Sequence, residues 1–364
     1  MIVDLNTCLS SSQIQGLLSR FGKISYVGKL ITFVVVDAVP VEVLPTLAAL
    51  PQVAMVEWQV PMEIIDDVSS RAVQARASNT YSPNTAQNAS FTGTGVNVAI
   101  LDTGVNDGHE AFTKSITGGT IKKFVAGFDA TNPSDPEDGT TNPIDDDGHG
   151  THVAGIAIGF STPGRTCRTP DDGSSPTDCA GVGADAKLVD IKVCKKDSKG
   201  RTICPSVAQG LDWLGINAEK FNVRVANMSI GSCTNDDGTS ALAQQVNYVV
   251  SLGVAFAISH GNAATSTCPT PVGAQQTGSP GSASLAITVG GTNDQGTVAR
   301  TDDANFSNFF RGPRIDFNPL TPNLLALKPD LTAPGQNVFS ANFSALTGYI
   351  SKTGTSMAAP HVAG

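Results

Sequence analysis

The chain has 364 residues, of which 40% are hydrophobic and only 15% are charged, and its formal net charge is −9. This length is enough for one large domain together with a small one. The negative charge argues against nucleic acid and anionic membrane surfaces as partners. No apolar run approaches the roughly 18 residues that a membrane-spanning helix needs. The composition is typical of a loop-rich extracellular enzyme.

Residues 1–60 alternate between strand and helix patterns. The residues Ser10–Ser12 are good helix-capping residues, and the apolar residues after them recur at helical spacing. The predicted elements are strand Ile2–Leu5, a helix with Ile14, Leu17, Leu18 and Phe21, strands Ile24–Val27 and Ile31–Val36, a helix with Val43, Leu44 and Leu47, and strand Val53–Val60. This βαββαβ order predicts a split βαβ, or ferredoxin-like, unit.

Residues 61–95 are polar and are predicted to form a linker. From residue 96, apolar strands alternate with helical segments. The predicted strands are Val96–Leu101, Lys187–Val193, Val223–Ile230, Val254–Ser259 and Leu285–Val289, and the predicted helices are His149–Ile158, Val207–Lys220 and Ser240–Leu252. Such an alternation indicates a parallel sheet with helices on both faces. In these sheets, ligand sites lie outside the carboxyl ends of the strands.

The cysteines bear on the cellular compartment. There are seven, and no CxxC motif occurs, so disulfides in an oxidising compartment are favoured over metal ligation. Apart from Cys8, they fall into three neighbouring couples, which predict the bonds Cys167–Cys179, Cys194–Cys204 and Cys233–Cys268. Each bond would close a loop of roughly 10–35 residues and contribute about 3 kcal/mol. Free buried thiols in a cytosolic protein are the alternative.

Asp102 and His149 are the first two residues with catalytic character. Asp102 ends a strand within Val98–Gly104, where a carboxylate is desolvated on one side and needs partners. Taken alone, such a residue could also cap a helix or bind a metal. His149 lies in the run Gly148–Gly155, where glycines on both sides let the backbone turn and place the imidazole at a helix start.

Ser356 is the third such residue, within the run Thr353–Gly364. Here a serine opens a helix whose backbone amides and dipole point toward developing negative charge. Pro360 lies in the first turns, where a missing N–H is tolerated better than in the middle of a helix.

Together these runs resemble the subtilisin family of serine peptidases, in which the catalytic residues follow the chain order Asp, His, Ser. The resemblance covers roughly residues 92–364 and includes Asn227–Gly231, Ser259–Asn262 and Lys328–Gly335. It implies an α/β fold, namely a subtilisin-like parallel sheet with helices on both faces, preceded by a small α+β ferredoxin-like domain.

The resemblance implies a role for each catalytic residue. Ser356 attacks the peptide carbonyl, and His149 removes the proton of its hydroxyl and later protonates the leaving amine. Asp102 fixes the tautomer of the imidazole and stabilises its charged form. Asn262 and the backbone amide of Ser356 hold the oxyanion.

The implied substrate-binding residues are Ser229, Ile230, Gly231, Ser259 and Gly261. Their strand edge is expected to pair with extended polypeptide segments. Pocket walls of this kind favour an apolar residue before the scissile bond. His260 stands where the family usually has a small residue, and it would either line the specificity pocket or only fill it.

By the same resemblance, residues 1–65 are a propeptide that assists folding and inhibits the enzyme, residues 66–91 are a linker and the mature amino-terminal segment, and residues 92–364 are a peptidase domain that is incomplete at its carboxyl end. Self-cleavage is expected within Glu63–Ser82. The expected partners are polypeptide substrates and this propeptide, and neither nucleic acid nor a membrane. The enzyme is expected to be secreted, although Met1–Leu5 lacks the features of a signal peptide.

No cofactor is expected for the chemistry, whereas calcium is expected as a structural ion. The acidic run from Asp135 to Asp147 could be a solvated loop, a calcium site or an acidic wall that favours basic substrates, and it lacks EF-hand spacing. A Cys-bounded insertion, Cys167 to Cys179, replaces the segment after the His149 helix, so the calcium ligands stay unnamed. Arg311–Leu327 is predicted to be an extra surface loop.

Two other functions fit parts of the sequence. A catalytically silent subtilase fragment would only bind peptides, although all three triad residues and Asn262 are present. A sedolisin-type peptidase would use Glu in place of His, which the intact run Gly148–His152 disfavours.

Overall fold

The computed structural model describes residues 1–57, 62–63, 70–76, 78–161, 179–263, 268, 273–306 and 308–364. Residues 1–57 form the N-terminal unit. Its elements are β1 (Ile2–Leu5), α1 (Ser11–Leu18), β2 (Lys23–Val27), β3 (Phe33–Asp37), α2 (Leu44–Ala48) and β4 (Val53–Glu57). The strand order is β2-β3-β1-β4 with antiparallel neighbours, which is the order of a split βαβ unit.

The helix α1 begins where the serines predicted it. Ser10 and Gln13 form a capping box, in which each side chain accepts a hydrogen bond from the backbone of the other residue. The helix buries Ile14 and Leu18 against the sheet, beside Val34 and Val36. One face of the small sheet is therefore covered by its own helices.

The remaining described residues form the large unit. Its strands are β5 (Met62–Glu63), β6 (Asn97–Asp102), β7 (Thr113–Ile116), β8 (Gly119–Lys122), β9 (Phe124–Asp129), β10 (Lys187–Lys192), β11 (Lys195–Lys196), β12 (Thr202–Ile203), β13 (Val223–Met228), β14 (Gly231–Ser232), β15 (Ala255–Ser259), β16 (Ile287–Asn293), β17 (Ala304–Asn305), β18 (Leu331–Pro334), β19 (Val338–Ala341) and β20 (Tyr349–Lys352). Its helices are α3 (His149–Ile158), α4 (Val207–Asn217), α5 (Ala241–Ser251) and α6 (Thr355–Ala363).

An eight-stranded sheet lies at the centre of the large unit, in the order β17-β16-β15-β13-β6-β10-β9, with β18 also pairing with β16. The pairs are parallel except for the one between β16 and β17. The five predicted strands are confirmed, and β9, β17 and β18 extend the sheet beyond that prediction. The carboxyl ends of the central strands meet at one edge, called the catalytic edge below because the predicted catalytic residues Asp102, His149 and Ser356 belong to it.

Helices cover both faces of this sheet. The residues of α3 and α6 pack on one face, while α4 and α5 pack against each other on the opposite face. The second face of the small sheet rests on α4 and α5, so that Ile2, Phe33 and Val35 share a buried cluster with Val207 and Leu242.

Two of the three predicted disulfides, Cys194–Cys204 and Cys233–Cys268, are confirmed. The predicted bond Cys167–Cys179 lies outside the described residues, since Cys167 is not among them. Cys8 is free and exposed. Across the described ranges, no helix combines the length and the apolar character needed to cross a bilayer.

Candidate active site

The end of β6 and the start of α3 bring Asp102 and His149 together. The Nδ1–H of His149 donates to Oδ1 of Asp102 at 2.7 Å, a direction that follows because an ionised carboxylate can only accept. Both side chains are at most 1% exposed. Asp102 Oδ1 also accepts from the backbone N–H of Thr103 at 2.8 Å. The imidazole is therefore fixed in orientation, and Nε2 is the nitrogen that can take up a proton.

The glycines on either side of His149 are required by the backbone. Gly148 has a φ of 99°, in the left-handed region, and a Cβ there would lie 2.1 Å from the ring of Phe343. A Cβ on Gly150 would lie 2.2 Å from the carbonyl oxygen of Gly104. The expectation that these glycines permit the turn into the helix is confirmed.

Asp145 organises the start of α3, a role that the sequence analysis did not assign. Its Oδ1 accepts from the backbone N–H of Gly148 at 2.8 Å, and its Oδ2 accepts from the N–H and the hydroxyl of Thr151 at 3.0 and 2.6 Å. The hydroxyl of Thr103 donates to Asp145 at 2.8 Å and accepts from the N–H of Gly150 at 2.9 Å. Burial raises the pKa of Asp145, and these donors oppose the rise. The preference for Asp just before helices was the signal available in the sequence.

Ser356 is the second residue of α6 and is 1% exposed. Its hydroxyl donates to the carbonyl oxygen of Ser229 at 2.9 Å, and the hydroxyl of Ser229 donates to the carbonyl oxygen of Ser356 at 2.6 Å. Ser229 Oγ also accepts from the side-chain amide of Asn227 at 3.0 Å. These bonds tie the predicted nucleophile to the predicted substrate strand. Asn227 was not singled out from the sequence, although it lies in the recognised run and is fully buried.

The topology places the pair Asp102 and His149 at the same edge as the pair Ser229 and Ser356. β6 and β13 are neighbours with Ile100 opposite Asn227, so Asp102 and Ser229 both lie just beyond at the carboxyl ends. Helices α3 and α6 pack against each other, and their first turns carry His149 and Ser356. The catalytic edge is where the rule for parallel sheets predicts a site.

Asn262 lies beside the first turn of α6. Its side-chain amide donates to the hydroxyl of Thr355 at 3.1 Å, and its Oδ1 accepts from the backbone N–H of Thr355 at 3.1 Å. The N–H of Gly261 donates to the same hydroxyl at 3.0 Å. Gly261 has a φ of 115°, and a Cβ there would lie 2.5 Å from the ring of Phe310. Because Ser356 follows Thr355 in the chain, these bonds hold Asn262 next to Ser356.

The predicted substrate edge already carries a strand. Gly231 pairs with Glu63 of β5 in antiparallel register, and β5 also lies beside β12. Ser229 and Ile230 are fully buried, and Ser259, at the end of β15, is 3% exposed. The chain that arrives from the N-terminal unit therefore adds to the same edge that the sequence analysis assigned to substrates.

His260 fills the structure behind this edge and does not line it. It is 1% exposed, with Nδ1 at 3.1 Å from the carbonyl oxygen of Phe310 and Nε2 at 3.0 Å from the hydroxyl of Thr277. Burial lowers the pKa of His260 to about 4, so the ring is neutral near pH 7. Nδ1–H then donates to Phe310 while Nε2 accepts from Thr277.

The residues Asp145–Asp147 do not fit a calcium site. Nζ of Lys192 donates to Asp146 at 2.9 Å, and Asp147 accepts from Nζ of Lys196 and, at 2.5 Å, from the hydroxyl of Thr202. These carboxylates are thus engaged by cations and hydroxyls of the protein. Within the described ranges, no group of three or more His, Cys, Asp or Glu residues is arranged to hold a metal ion.

Comparisons with known proteins agree with this geometry. The family model described as Subtilase family matches residues 93–364. Subtilisin BL from Lederbergia lenta is 33% identical over 279 residues, which are 77% of this chain and 77% of that protein. Alkaline serine exoprotease A from Vibrio alginolyticus is 32% identical over 287 residues, 79% of this chain and 39% of that protein.

A solved structure, the S41 Psychrophilic Protease, is similar with a TM-score of 0.52 and 26% identity, covering 75% of each chain. The family match extends over well more than half of the chain and spans all the residues of the catalytic edge. The chain therefore has a subtilisin-like fold and belongs to the subtilase family of serine peptidases.

Proposed function

We propose that the chain is the precursor of a secreted serine endopeptidase that uses Asp102, His149 and Ser356 and removes its own N-terminal unit. The observation that carries the proposal is the 2.7 Å hydrogen bond between His149 and Asp102, at the edge where Ser356 opens a helix. Membership of the subtilase family and similarity to subtilisins support it.

The reaction follows from these positions. His149 Nε2 takes the proton of the Ser356 hydroxyl as Oγ attacks the carbonyl carbon of the substrate. The imidazolium then protonates the leaving amine, which departs and leaves an acyl-enzyme. Water enters, gives a proton to His149 and attacks the ester, and the returned proton restores Ser356. Asp102 stays ionised throughout and stabilises the imidazolium.

Substrate binding prepares the nucleophile. In the resting protein, the Ser356 hydroxyl donates to the carbonyl oxygen of Ser229. A substrate strand that pairs with Ser229–Gly231 would bring its own N–H groups to this edge and compete for that carbonyl. The Ser356 hydroxyl would then be released to turn toward His149.

Negative charge on the tetrahedral intermediate requires donors in fixed positions. Asn262 and the backbone N–H of Ser356 are suited to this task because both lie at the first turn of α6, where the helix dipole is also favourable. The mutual bonds between Asn262 and Thr355 hold the amide in place, so little reorganisation is needed during the reaction.

The substrates we propose are extended segments of polypeptides with an apolar residue before the scissile bond. Support comes from the buried, apolar side chains of Ile230 and Ile258 next to the substrate edge, together with Ser259 and Gly261. No step requires a metal. Calcium remains a proposal for structural stabilisation only, away from the ion pairs of Asp145–Asp147.

The N-terminal unit is proposed to act as folding helper and temporary inhibitor. Asp212 of α4 accepts from the backbone N–H groups of Lys29 and Leu30 at 2.6 and 3.2 Å and from the hydroxyl of Tyr26. Glu57 accepts from the N–H of Ala241, the first residue of α5, at 2.7 Å. With β5 on the substrate edge, this unit blocks the site until the connection is cut within Glu63–Ser82.

The decisive experiment compares the wild-type precursor with Ser356→Ala and, as a matched control, with Ser344→Ala, which removes an exposed hydroxyl. Each protein is purified and followed on a gel, with amino-terminal sequencing of any product. We expect release of the N-terminal unit in wild type and Ser344→Ala and an intact precursor in Ser356→Ala.

An intact, folded precursor in all three proteins, over a range of pH and calcium concentration, would contradict the proposal. It would favour a peptide-binding protein without catalytic activity. Release by Ser356→Ala at the wild-type rate would exclude Ser356 as the nucleophile. Recovery of the released enzyme from the medium of a secreting host tests the proposed location.

A further inference from the structure

A lysine on a covalently closed hairpin pairs with an aspartate on the loop that leads into α3. Strands β11 and β12 pair with Lys196 opposite Thr202, and the disulfide Cys194–Cys204 joins the residues that flank the hairpin. Nζ of Lys196 binds the carboxylate of Asp147 and also donates to the hydroxyl of Thr202 at 2.7 Å. The ammonium group of Lys196 is thus held by two partners, Asp147 and Thr202.

Asp147, the second member of the pair, lies on the loop that leads into α3 and the predicted base His149. It lies two residues before His149, and its side chain is only 16% exposed. Burial raises the pKa of Asp147, but hydrogen bonds from Lys196 and Thr202, together with the charge of His149, bring it below its ordinary value. Such coupling acts in both directions, so an ionised Asp147 stabilises the protonated form of His149. The positive charge of Lys196 opposes this effect.

We propose that Lys196 and Asp147 set the pH below which His149 stops acting as a base, so that the disulfide-closed hairpin tunes the acid limb of proteolysis. The inference rests on the proposed function of His149. Neither residue contacts reacting atoms, and both act through the charge that they place near the imidazole.

Other charged or titratable groups also face this region and would stay unchanged in the test. Nζ of Lys192 bridges Asp146 and the carbonyl oxygen of Thr103, and Lys352 donates to the carbonyl oxygen of Gly148 at 3.3 Å. Burial lowers the pKa of His152 well below its ordinary value, so that ring stays neutral. Among the described residues, these groups include Asp102 on β6, Asp145 and Asp146 on the loop before α3, His152 on α3, Asp190 and Lys192 on β10, Lys352 on β20 and His361 on α6.

The test measures kcat/KM against pH for the processed enzyme and for Lys196→Met and Asp147→Asn. Removing the lysine leaves the negative charge of Asp147 uncompensated, which favours imidazolium, so we expect the acid limb to move to higher pH. Removing the carboxylate should move it to lower pH. Each shift should be about 0.3 to 1 pH unit, the size expected for one charge at partial burial.

Two further variants separate charge from structure. Lys196→Arg keeps the positive charge and should retain the wild-type profile. Lys199→Met removes the same charge from the exposed turn of the same hairpin, away from Asp147, and should shift the limb by less than about 0.1 pH unit at moderate salt.

The outcomes are distinguishable. Opposite shifts of the acid limb in Lys196→Met and Asp147→Asn support the proposal. A purely structural defect would lower kcat/KM without moving the acid limbs of the two variants in opposite directions. The proposal would be overturned if Lys196→Met and Asp147→Asn shifted the acid limb in the same direction or not at all, or if Lys196→Met and Lys199→Met gave equal shifts. In each of these cases, an active wild-type protein would leave the peptidase assignment intact. A wild-type protein with no activity would instead contradict the proposed function itself.

Discussion

The catalytic edge buries the carboxylate of Asp145, and the contact between the N-terminal unit and helices α4 and α5 buries that of Glu57. The two carboxylates differ in the number of hydrogen bonds that they accept. At the edge, Asp145 accepts hydrogen bonds from three backbone N–H groups and two hydroxyls. At the contact, Glu57 accepts from the N–H of Ala241 and lies near the like charges of Asp4 and Asp236. Burial raises the pKa of Glu57 to about 7. Asp145 is thus held by five donors at the edge, whereas Glu57 at the contact changes its charge near neutral pH.

The largest expected effect is at the edge, where Asn262→Ala removes the proposed oxyanion donor. We expect kcat to fall about 100- to 1,000-fold with little change in KM, a magnitude that was measured on subtilisin itself. Steady-state kinetics on a peptide substrate would measure both constants. A rise in KM with unchanged kcat would assign Asn262 to ground-state binding instead.

Gly150→Ala should disturb the same edge through the backbone. The added Cβ meets the carbonyl oxygen of Gly104, so α3 and His149 must shift, and a displacement of this kind can reduce kcat/KM about 100-fold. The control is Gly119→Ala in β8, a strand of the large unit, where no atom lies within 4 Å of the new Cβ. Kinetics and thermal unfolding of both variants would show whether only the first loses activity, and full activity of Gly150→Ala would contradict the close packing.

Asp212→Asn should weaken the contact of the N-terminal unit. The carboxylate accepts from two backbone N–H groups, and an amide that turns its own NH2 toward one of them leaves a buried donor unpaired. We expect the cleaved unit to dissociate about 10- to 100-fold more readily. Gel filtration of the cleaved complex measures this, and the substitution Asp302→Asn, at an exposed residue, serves as the control. Unchanged co-elution would show that the contact depends on its apolar area.

Glu57→Gln is expected to have the smallest effect and to reveal the pH dependence of the contact. The pKa of Glu57 rises from 4.5 to about 7 in the docked state, which therefore holds more protons than the released state between these values. Docking is then strongest below about pH 4.5 and weakens as the pH rises through 7. Gel filtration at pH 5 and pH 8 should show weaker co-elution at pH 8, by about tenfold once solvent screening of this partly exposed carboxyl reduces the full effect of the shift. In Glu57→Gln that difference should shrink, and an undiminished difference would assign the pH dependence to another group.

The parts of the fold with strong periodicity were predictable from the sequence. Buried strands such as β6 and β15 are near-continuous apolar runs, a pattern that indicates a sheet covered on both faces. The strands β9 and β18 escaped prediction because each contains a residue that weakens a strand pattern, Gly127 and Pro334 respectively. The exposed hairpin of β7 and β8 has no buried face and therefore no apolar alternation.

The motif around His149 was visible in the sequence because the local backbone requires glycine at two positions. Gly148 has a positive φ, and a Cβ on Gly150 would collide with the backbone of Gly104. The supporting contacts were not visible, since they join residues far apart in the chain. Lys196 and Asp147 are 49 residues apart, and nothing local to either run marks them as partners. Only the pairing of β11 with β12 brings the lysine to the carboxylate.

The proposed activation would break up the buried cluster that Ile2, Phe33 and Val35 share with Val207 and Leu242. Once the connection was cut, the departing unit of about 60 residues would expose the apolar face that α4 and α5 had covered, and chains of this size are only marginally stable alone. The released unit would then unfold and become a substrate of the enzyme that it had blocked. Activation would thus be irreversible, because the unit that had blocked the site would be degraded and could not bind to it again.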